Sequence, residues 1–424
     1  MSEAKQDLRV LGMAPETGRW LLVLVGATIE LCLGAIYAYS VFRGPLATYF
    51  DSVGDQPTDT AMLLPFIVFL AVFAVTMPLA GRPMERYGPR AVAAVGGVFM
   101  GLGWFLASLA TDPVILTILY GVVGGFGVGL AYGCPIAVST RWFPDRRGLA
   151  VGLTVLGFGF SALVTGALAD GLIASQGGVM PTLRILGVVF LVIVVALSML
   201  LRFPPKGWQP AGFTAPTAPG GGARPEFLRG EMLRTTAFWG LWVCYTIGTL
   251  AGLMAIGIAK PVGTDLGVAS ATATTLVGIF AVFNGLGRPV FGSLTDRLGV
   301  RTTALLSFVL IGSASVLLWL AWSQEAYVLA FSILWACLGG WLAIGPAATA
   351  SFFGTKDYAR NYGVMFTAYG VGAIAGSVLG GQMKDIFGSY QNAFPIVAGL
   401  AVLGIVVAFF VIKAPTRIPA AVDD

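Results

Sequence analysis

Two side chains four residues apart, Asn284 and Arg288, interrupt an apolar run from Thr275 to Arg297 that is otherwise long enough to cross a bilayer. A spacing of four puts both on one helix face. An unpaired guanidinium at the centre of a membrane helix costs about 3 kcal/mol on insertion scales, so such a residue faces a protein interior or a wet cavity. Its planar fork matches a carboxylate in a bidentate way, and the pair reads as a binding site for an organic anion. Glu30 is the one acid near the middle of an apolar run. A carboxyl in a low dielectric can exchange a proton as a cavity opens and closes, which makes Glu30 the candidate proton-coupling group in a chain with no histidine. Other chemistries find no residues to carry them. Cys32, Cys134, Cys244 and Cys337 lie singly within apolar runs, so neither a disulfide framework nor a metal site is expected, and all four read as small core residues. With no phosphate-binding loop, metal constellation or catalytic triad, an ATP-driven pump or an enzyme is not expected, nor is a cofactor.

The elements that must hold these residues are membrane helices. Hydrophobic residues make up 57% of the 424-residue chain and charged residues 11%, with a mean hydropathy of +0.86, values foreign to a water-soluble domain of this length. The apolar runs are continuous rather than alternating, which favours helices over a barrel. A helix needs about 20 residues to cross about 30 Å of hydrocarbon. Twelve spans are predicted, at 19–42, 60–80, 90–110, 113–139, 147–170, 181–202, 237–260, 270–293, 301–322, 325–350, 360–382 and 391–413. The first run is too long for the apolar region of a cleavable signal peptide and is expected to remain in the mature protein.

With both termini placed in the cytoplasm, twenty of the 25 lysines and arginines fall on inside segments, and Arg43, Arg184, Lys260, Arg288 and Lys384 fall elsewhere. That bias predicts the orientation in the cell membrane. It also makes the net charge of +5 a topology signal rather than a nucleic-acid surface. The stretch from Phe203 to Thr236 is rich in Pro and Gly and reads as a cytoplasmic linker. The chain is thereby expected to divide into an N-terminal six-helix bundle (1–202), the linker (203–236) and a C-terminal six-helix bundle (237–424). The halves echo one another: GRPMERYGPR at Gly81 to Arg90 returns about 211 residues later as GSLTDRLGVR at Gly292 to Arg301, and Phe143 and Gly152 are matched by Phe353 and Gly363. Duplicated halves of this kind mark secondary transporters that bind substrate at the midplane between them.

The Gly-x-x-x-(Asp/Glu)-Arg-x-Gly-x-Arg loop and its repeat resemble motif A of the major facilitator superfamily, which implies an all-α fold of two pseudo-symmetric six-helix bundles and alternating access. The motif residues Gly81, Glu85, Arg86, Arg90, Asp296, Arg297 and Arg301 are then expected to bridge helix ends at the cytoplasmic gate and to release as the halves rock. Trp142 to Gly152, WFPDRRGLAVG, is similar to the signature of the monocarboxylate transporters. The bacterial oxalate/formate antiporter family carries a closely similar sequence there, and also resembles this chain at Gly18-Arg19-Trp20 and at Arg360-Asn361-Tyr362-Gly363.

The resemblance aligns Arg288 with the substrate arginine of both families. Asn284 stands where animal monocarboxylate transporters have an aspartate, and Tyr369 where the oxalate antiporter has a lysine. A site with one fixed cation suits one carboxylate, so a monocarboxylate such as lactate or pyruvate, with an acid pKa of about 3 to 4 and hence anionic at neutral pH, is the expected substrate, with a proton as companion. Helix faces and the family pattern together add Tyr37, Tyr132, Phe366 and Tyr369 to the expected lining. Glycines spaced by four, Gly121, Gly125 and Gly129 and then Gly372, Gly376 and Gly380, should let helices pack closely and slide. Lys260, Asp265, Lys384 and Asp385 are expected to form an outer gate by pairing in the inward-open state. A functional monomer in a lipid bilayer is expected. The alternatives are an oxalate/formate-type exchanger and a membrane carboxylate sensor that does not transport.

Overall fold

The computed structural model describes residues 9–55, 59–213 and 226–415. Among the described residues ten stretches are long and apolar enough to span a membrane, and two of them, Leu64–Ala107 and Thr275–Leu320, are twice the necessary length. Each of those two is a pair of spans joined at a glycine, Gly88 (φ 82°, ψ 167°) and Gly299 (φ 81°, ψ 162°). Side chains rarely adopt that backbone conformation, so glycine is what allows the chain to reverse there without a longer loop. Twelve membrane helices result among the described residues.

In chain order they are α1 (Pro15–Leu33, then a 3-10 segment Gly34–Ala38 and a continuation Tyr39–Ser52), α2 and α3 (Asp59–Ala107, divided at Gly88), α4 (Pro113–Trp142), α5 (Arg147–Ser175), α6 (Val179–Ser198), α7 (Thr236–Asp265), α8 and α9 (Ser270–Leu320, divided at Gly299), α10 (Gln324–Phe353), α11 (Tyr358–Met365 and Thr367–Phe387) and α12 (Ala393–Phe410). α1 starts earlier than its apolar run suggests, because Pro15 and Glu16 suit a first helical turn, and its continuation runs on to Ser52. Side-chain oxygens of Asp112, Thr235 and Ser323 cap α4, α7 and α10, satisfying N–H groups that have no intrahelical partner.

The expected linker is partly structured. A short helix, Arg229–Met232, lies within it, and residues 214–225 fall outside the described residues. Its two ends are tied to opposite halves. On one side Ala211 N–H donates to Glu16 and the Trp208 ring packs 4.6 Å from Trp142. On the other, Phe227 N–H donates to the Phe353 carbonyl and Lys356 N–H to Glu226.

Inside each half, glycine rows bring helices to backbone contact. Added Cβ atoms at Gly125 and Gly129 would meet the Phe69 and Phe73 carbonyls of α2 at 2.6 and 2.8 Å, and Gly372 and Gly376 press in the same way on α7. Between the halves the same device recurs in pairs. A Cβ at Gly152 of α5 would lie 2.5 Å from the Arg288 carbonyl and 2.7 Å from Pro289 Cα; one at Gly363 of α11 would lie 2.6 Å from the Met77 carbonyl and 2.9 Å from Pro78 Cα. Pro78 and Pro289, Gly81 and Gly292, and Gly88 and Gly299 thus hold equivalent places in the two halves. At the place equivalent to Arg288 stands a buried methionine, Met77.

These crossings lie toward the end of the molecule that carries Asp296. Along the α11 face that holds Gly363 and Gly370, the next residues toward the other end are Ile374 and Val378, 49% and 48% exposed. The two halves are therefore in backbone contact at the Asp296 end.

Candidate functional site

Arg288 projects from α8 beside Pro289, which lacks the N–H that would bond the Gly285 carbonyl and so loosens this turn. The side chain is completely buried. Its Nη1 donates across the interface to the Val155 carbonyl of α5, its Nη2 donates to Asn284 Oδ1 at 3.1 Å, and its Nε has no acceptor. The guanidinium also lies 5.5 Å from the Phe158 ring centre. It is not left without partners, as the sequence suggests, but those partners are neutral. Among the described residues it forms no salt bridge.

Asn284 Nδ2 donates to the Trp335 carbonyl of α10 at 3.0 Å. A carboxylate could not make that bond, so the amide is fixed at both ends and points its oxygen at Arg288. Glycines supply the room: a Cβ at Gly339 would meet the Asn284 carbonyl at 1.9 Å, and one at Gly159 would meet Arg288 Nε at 3.0 Å.

Glu30 of α1 is also fully buried, and neither of its carboxyl oxygens has a hydrogen-bond partner. It is near enough to Arg288 and Tyr132 to interact with both electrostatically. Three of the other expected lining residues sit at helix irregularities, while Tyr369 lies within a regular helix. Tyr37 lies in the 3-10 segment of α1, Tyr132 at the joint of two helical pieces of α4, and Phe366 at the joint of α11. Pro135 explains the α4 joint, since it cannot donate to the Ala131 carbonyl.

Tyr37 and Tyr369 hydroxyls share a 2.7 Å hydrogen bond across the interface. The Phe366 ring is surrounded, with centroids of Phe73, Tyr369, Tyr132, Tyr362 and Tyr245 at 4.9, 4.9, 5.1, 5.9 and 6.5 Å. The site therefore includes Phe73, Phe158, Tyr245 and Tyr362, which sequence reasoning passed over. Aromatic residues in apolar helices carry no mark of facing one another until the helices are assembled. The repeat held one usable signal, since Gly363 beside Tyr362 marks the crossing of α11 with α2.

The motif residues divide by role. Asp296 accepts the Gly148 and Leu149 N–H groups at the start of α5, at 2.8 and 2.9 Å. Its counterpart Glu85 stays within its own half, paired to Arg141 at 2.6 Å. Gly81 packs on the Arg360 backbone of the opposite half. Arg90 donates to the Leu201 carbonyl, Arg86 lies over Tyr87 and Arg301 over Phe409, while Arg297 is exposed. Of the residues expected at an outer gate, Lys384 pairs with Asp265, joining α11 to α7 within one half. This pair forms with the Asp296 end closed, whereas the expectation tied it to the inward-open state. The Lys260 and Asp385 side chains lie outside the described residues.

An apolar groove of about 800 Å³ on the flank of α8 and α10, lined by Ile279, Phe283, Val328 and Leu329 among others, has no cation in its wall. It offers a carboxylate nothing comparable to Arg288.

The Major Facilitator Superfamily matches this chain over residues 31–258 and 241–423. The chain belongs to that superfamily. Three of its relatives are named for carboxylates. The oxalate:formate antiporter of Oxalobacter formigenes is 30% identical over 418 residues, covering 95% of this chain and 96% of that one. Apicoplast pyruvate carrier 1 of Toxoplasma gondii is 25% identical, covering 82% and 81%, and monocarboxylate transporter 13 of the rat is 25% identical, covering 92% and 88%. Among solved structures, the proton:xylose symporter XylE superposes with a TM-score of 0.72 at 13% identity, covering 94% of this chain and 96% of that one, a likeness of fold. As a member of the Major Facilitator Superfamily the protein is a multi-pass membrane transporter with the twelve-helix, two-bundle architecture. Its interface between bundles is where Arg288, Asn284 and the aromatic cluster stand.

Proposed function

We propose that this transporter moves small monocarboxylates of the lactate and pyruvate type together with a proton, by alternating access across the cell membrane, with both termini and the Asp296 end in the cytoplasm. The observation that carries the reading is Arg288, a buried cation between the bundles whose hydrogen-bond partners are all neutral. A carboxylate entering from the Lys384 end would displace the Val155 carbonyl from Nη1 and take the adjoining hydrogen of Nη2, giving the charge-assisted bidentate contact that a guanidinium makes best. Because Val155 belongs to the opposite bundle, that exchange of partners loosens a bond across the interface as substrate binds.

Glu30 is the proton carrier in this scheme. It interacts electrostatically with Arg288 and its carboxyl has no hydrogen-bond partner, so its proton and the arriving anion are coupled through the charge they share. Tyr37, Tyr132, Phe366 and Tyr369 form an aromatic wall for the short alkyl part, and the protein acts as a monomer. Carboxylate exchange without a proton is the second reading, favoured by the likeness to the Oxalobacter carrier.

Uptake of labelled lactate, pyruvate, formate and oxalate into proteoliposomes, with and without an imposed pH gradient, separates the two. Symport predicts uptake of lactate driven by an inward proton gradient and abolished in Arg288→Lys. Counterflow of oxalate against formate with no dependence on the gradient selects exchange. An Arg288→Lys variant that moves every anion at the wild-type rate removes both.

A further inference from the structure

The apolar groove on the flank of α8 and α10 has no part in the transport scheme, yet it has a length and a direction. Its walls include Leu276, Ile279 and Phe283 of α8 and Val328, Leu329 and Ala336 of α10. Ile279, Phe283 and Leu329 are exposed, so in a membrane-spanning bundle the opening faces hydrocarbon. Along α10 the lining runs from Gln324 to Cys337, a length of about 20 Å at a rise of about 1.5 Å per residue. Gln324 donates to the Leu266 carbonyl just beyond α7, beside the Asp265 that pairs with Lys384. The groove therefore begins at the Lys384 end and descends toward the middle of the bilayer. Half of a hydrocarbon core is about 15 Å, so the groove covers the depth of one leaflet. Its volume of about 800 Å³ falls within the range of ligand pockets, about 300–1,000 Å³.

Available polar groups are confined to its mouth. Deeper in, the Ser332 hydroxyl donates to the Val328 carbonyl of its own helix and the Cys337 thiol to the Ser307 carbonyl, so that part of the wall suits a hydrocarbon chain. Glu325, at the mouth, carries the one charge among the lining residues, and its carboxylate interacts with the neighbouring Ser323 side chain, which keeps it there. A carboxylate at that place repels an anionic headgroup and attracts a cationic one. A primary ammonium brings three donors to it, whereas a quaternary one brings none. We propose that the groove seats one acyl chain of a phospholipid with a primary-amine headgroup, a phosphatidylethanolamine, whose ammonium meets Glu325. The back of the groove adjoins the Arg288 site: Ala336 follows Trp335, whose carbonyl accepts from the Asn284 amide, and a Cβ on Gly287 would lie 2.2 Å from the Ala336 carbonyl. The seated chain packs against the contact between α8 and α10 that fixes Asn284.

The proposal does not depend on what Arg288 binds. Its test is photolabelling in proteoliposomes with trace probes that share one mid-chain diazirine and differ only in headgroup: phosphatidylethanolamine, phosphatidylcholine and phosphatidylglycerol. Labelled residues are mapped by mass spectrometry. Labelling by the ethanolamine probe is expected to concentrate on α8 between Leu276 and Phe283 and on α10 between Val328 and Ala336. Its yield there should exceed that of the choline probe about threefold, the order of an exposed ion pair, and equal it on the other lipid-facing helices. Glu325→Gln, a conservative change at an exposed position, should make the two yields equal in the groove. Val328→Trp should fill the groove and remove the labelling, and Glu325→Gln carries the test if the tryptophan variant does not reconstitute. Labelling spread evenly over the lipid-facing helices, equal yields for the two probes in wild type, or a higher yield for the glycerol probe overturns the proposal. So does a groove shielded by a second copy of the chain, read as a cross-linked dimer in place of lipid adducts.

Discussion

Asp296 of one bundle receives the backbone N–H of Gly148 of the other at 2.8 Å, and that of Leu149 beside it. A carboxylate at the start of α5 satisfies orphan donors and complements the positive end of the helix, so this latch favours the closed Asp296 end. Loss of such a cap costs about 1 kcal/mol, enough for a several-fold change in population. Asp296→Ala should therefore shift the protein toward opening at that end, read as increased labelling of a cysteine placed at Val151 by a membrane-impermeant thiol reagent in inside-out vesicles.

Gly148 and Gly292 meet so closely that a Cβ on Gly148 would lie 2.0 Å from the Gly292 carbonyl. Gly148→Val should block closure of this end while leaving each bundle folded. Transport is expected to fall below a tenth of wild type, with an unaltered elution profile in detergent; normal transport would show that the halves never approach as closely as described.

Exchanging Asn284 for aspartate removes the donor to the Trp335 carbonyl and sets a carboxylate 3.1 Å from Arg288 where an amide oxygen now stands. The internal ion pair then competes with substrate. A rise in KM for lactate of about tenfold is expected, equal to about 1.4 kcal/mol of lost binding, measured as concentration dependence of uptake at neutral pH.

Glu30→Gln keeps the shape of the side chain and fixes it in a neutral form. Uptake driven by a pH gradient should be lost, while exchange of labelled for unlabelled lactate at equal pH persists. Undiminished gradient-driven uptake assigns the proton to another group.

Much of this arrangement could be read without coordinates, for reasons that differ by residue. The spans follow from apolar length, and the doubled glycine motifs mark the reversals at Gly88 and Gly299, because few residues other than glycine turn a chain there. Asn284 and Arg288 met because four residues on a helix is a geometric certainty once the helix is granted. The Val155 carbonyl could not be foreseen, since a backbone acceptor has no sequence signature. Tyr245 and Tyr362 were invisible for a related reason: a tyrosine in an apolar run looks like packing, and whether its hydroxyl is satisfied depends on neighbours contributed by three other helices. Glu85 and Asp296 show the limit of the repeat itself. Matching letters led one acid to a partner in its own half and the other across the interface, because Arg141 offers Glu85 a nearer cation.

Met77 occupies in one half the place that Arg288 occupies in the other. A duplicated carrier with arginine at both places would present its passenger with a symmetric pair of like charges, and would repel itself whenever empty. Breaking the dyad with a thioether, whose end packs beside Gly133 of α4, leaves one buried guanidinium between the halves rather than two. On the proposed reading, that imbalance gives the cargo a preferred heading: its acid group is drawn toward the C-terminal bundle, and its carbon chain toward the N-terminal one.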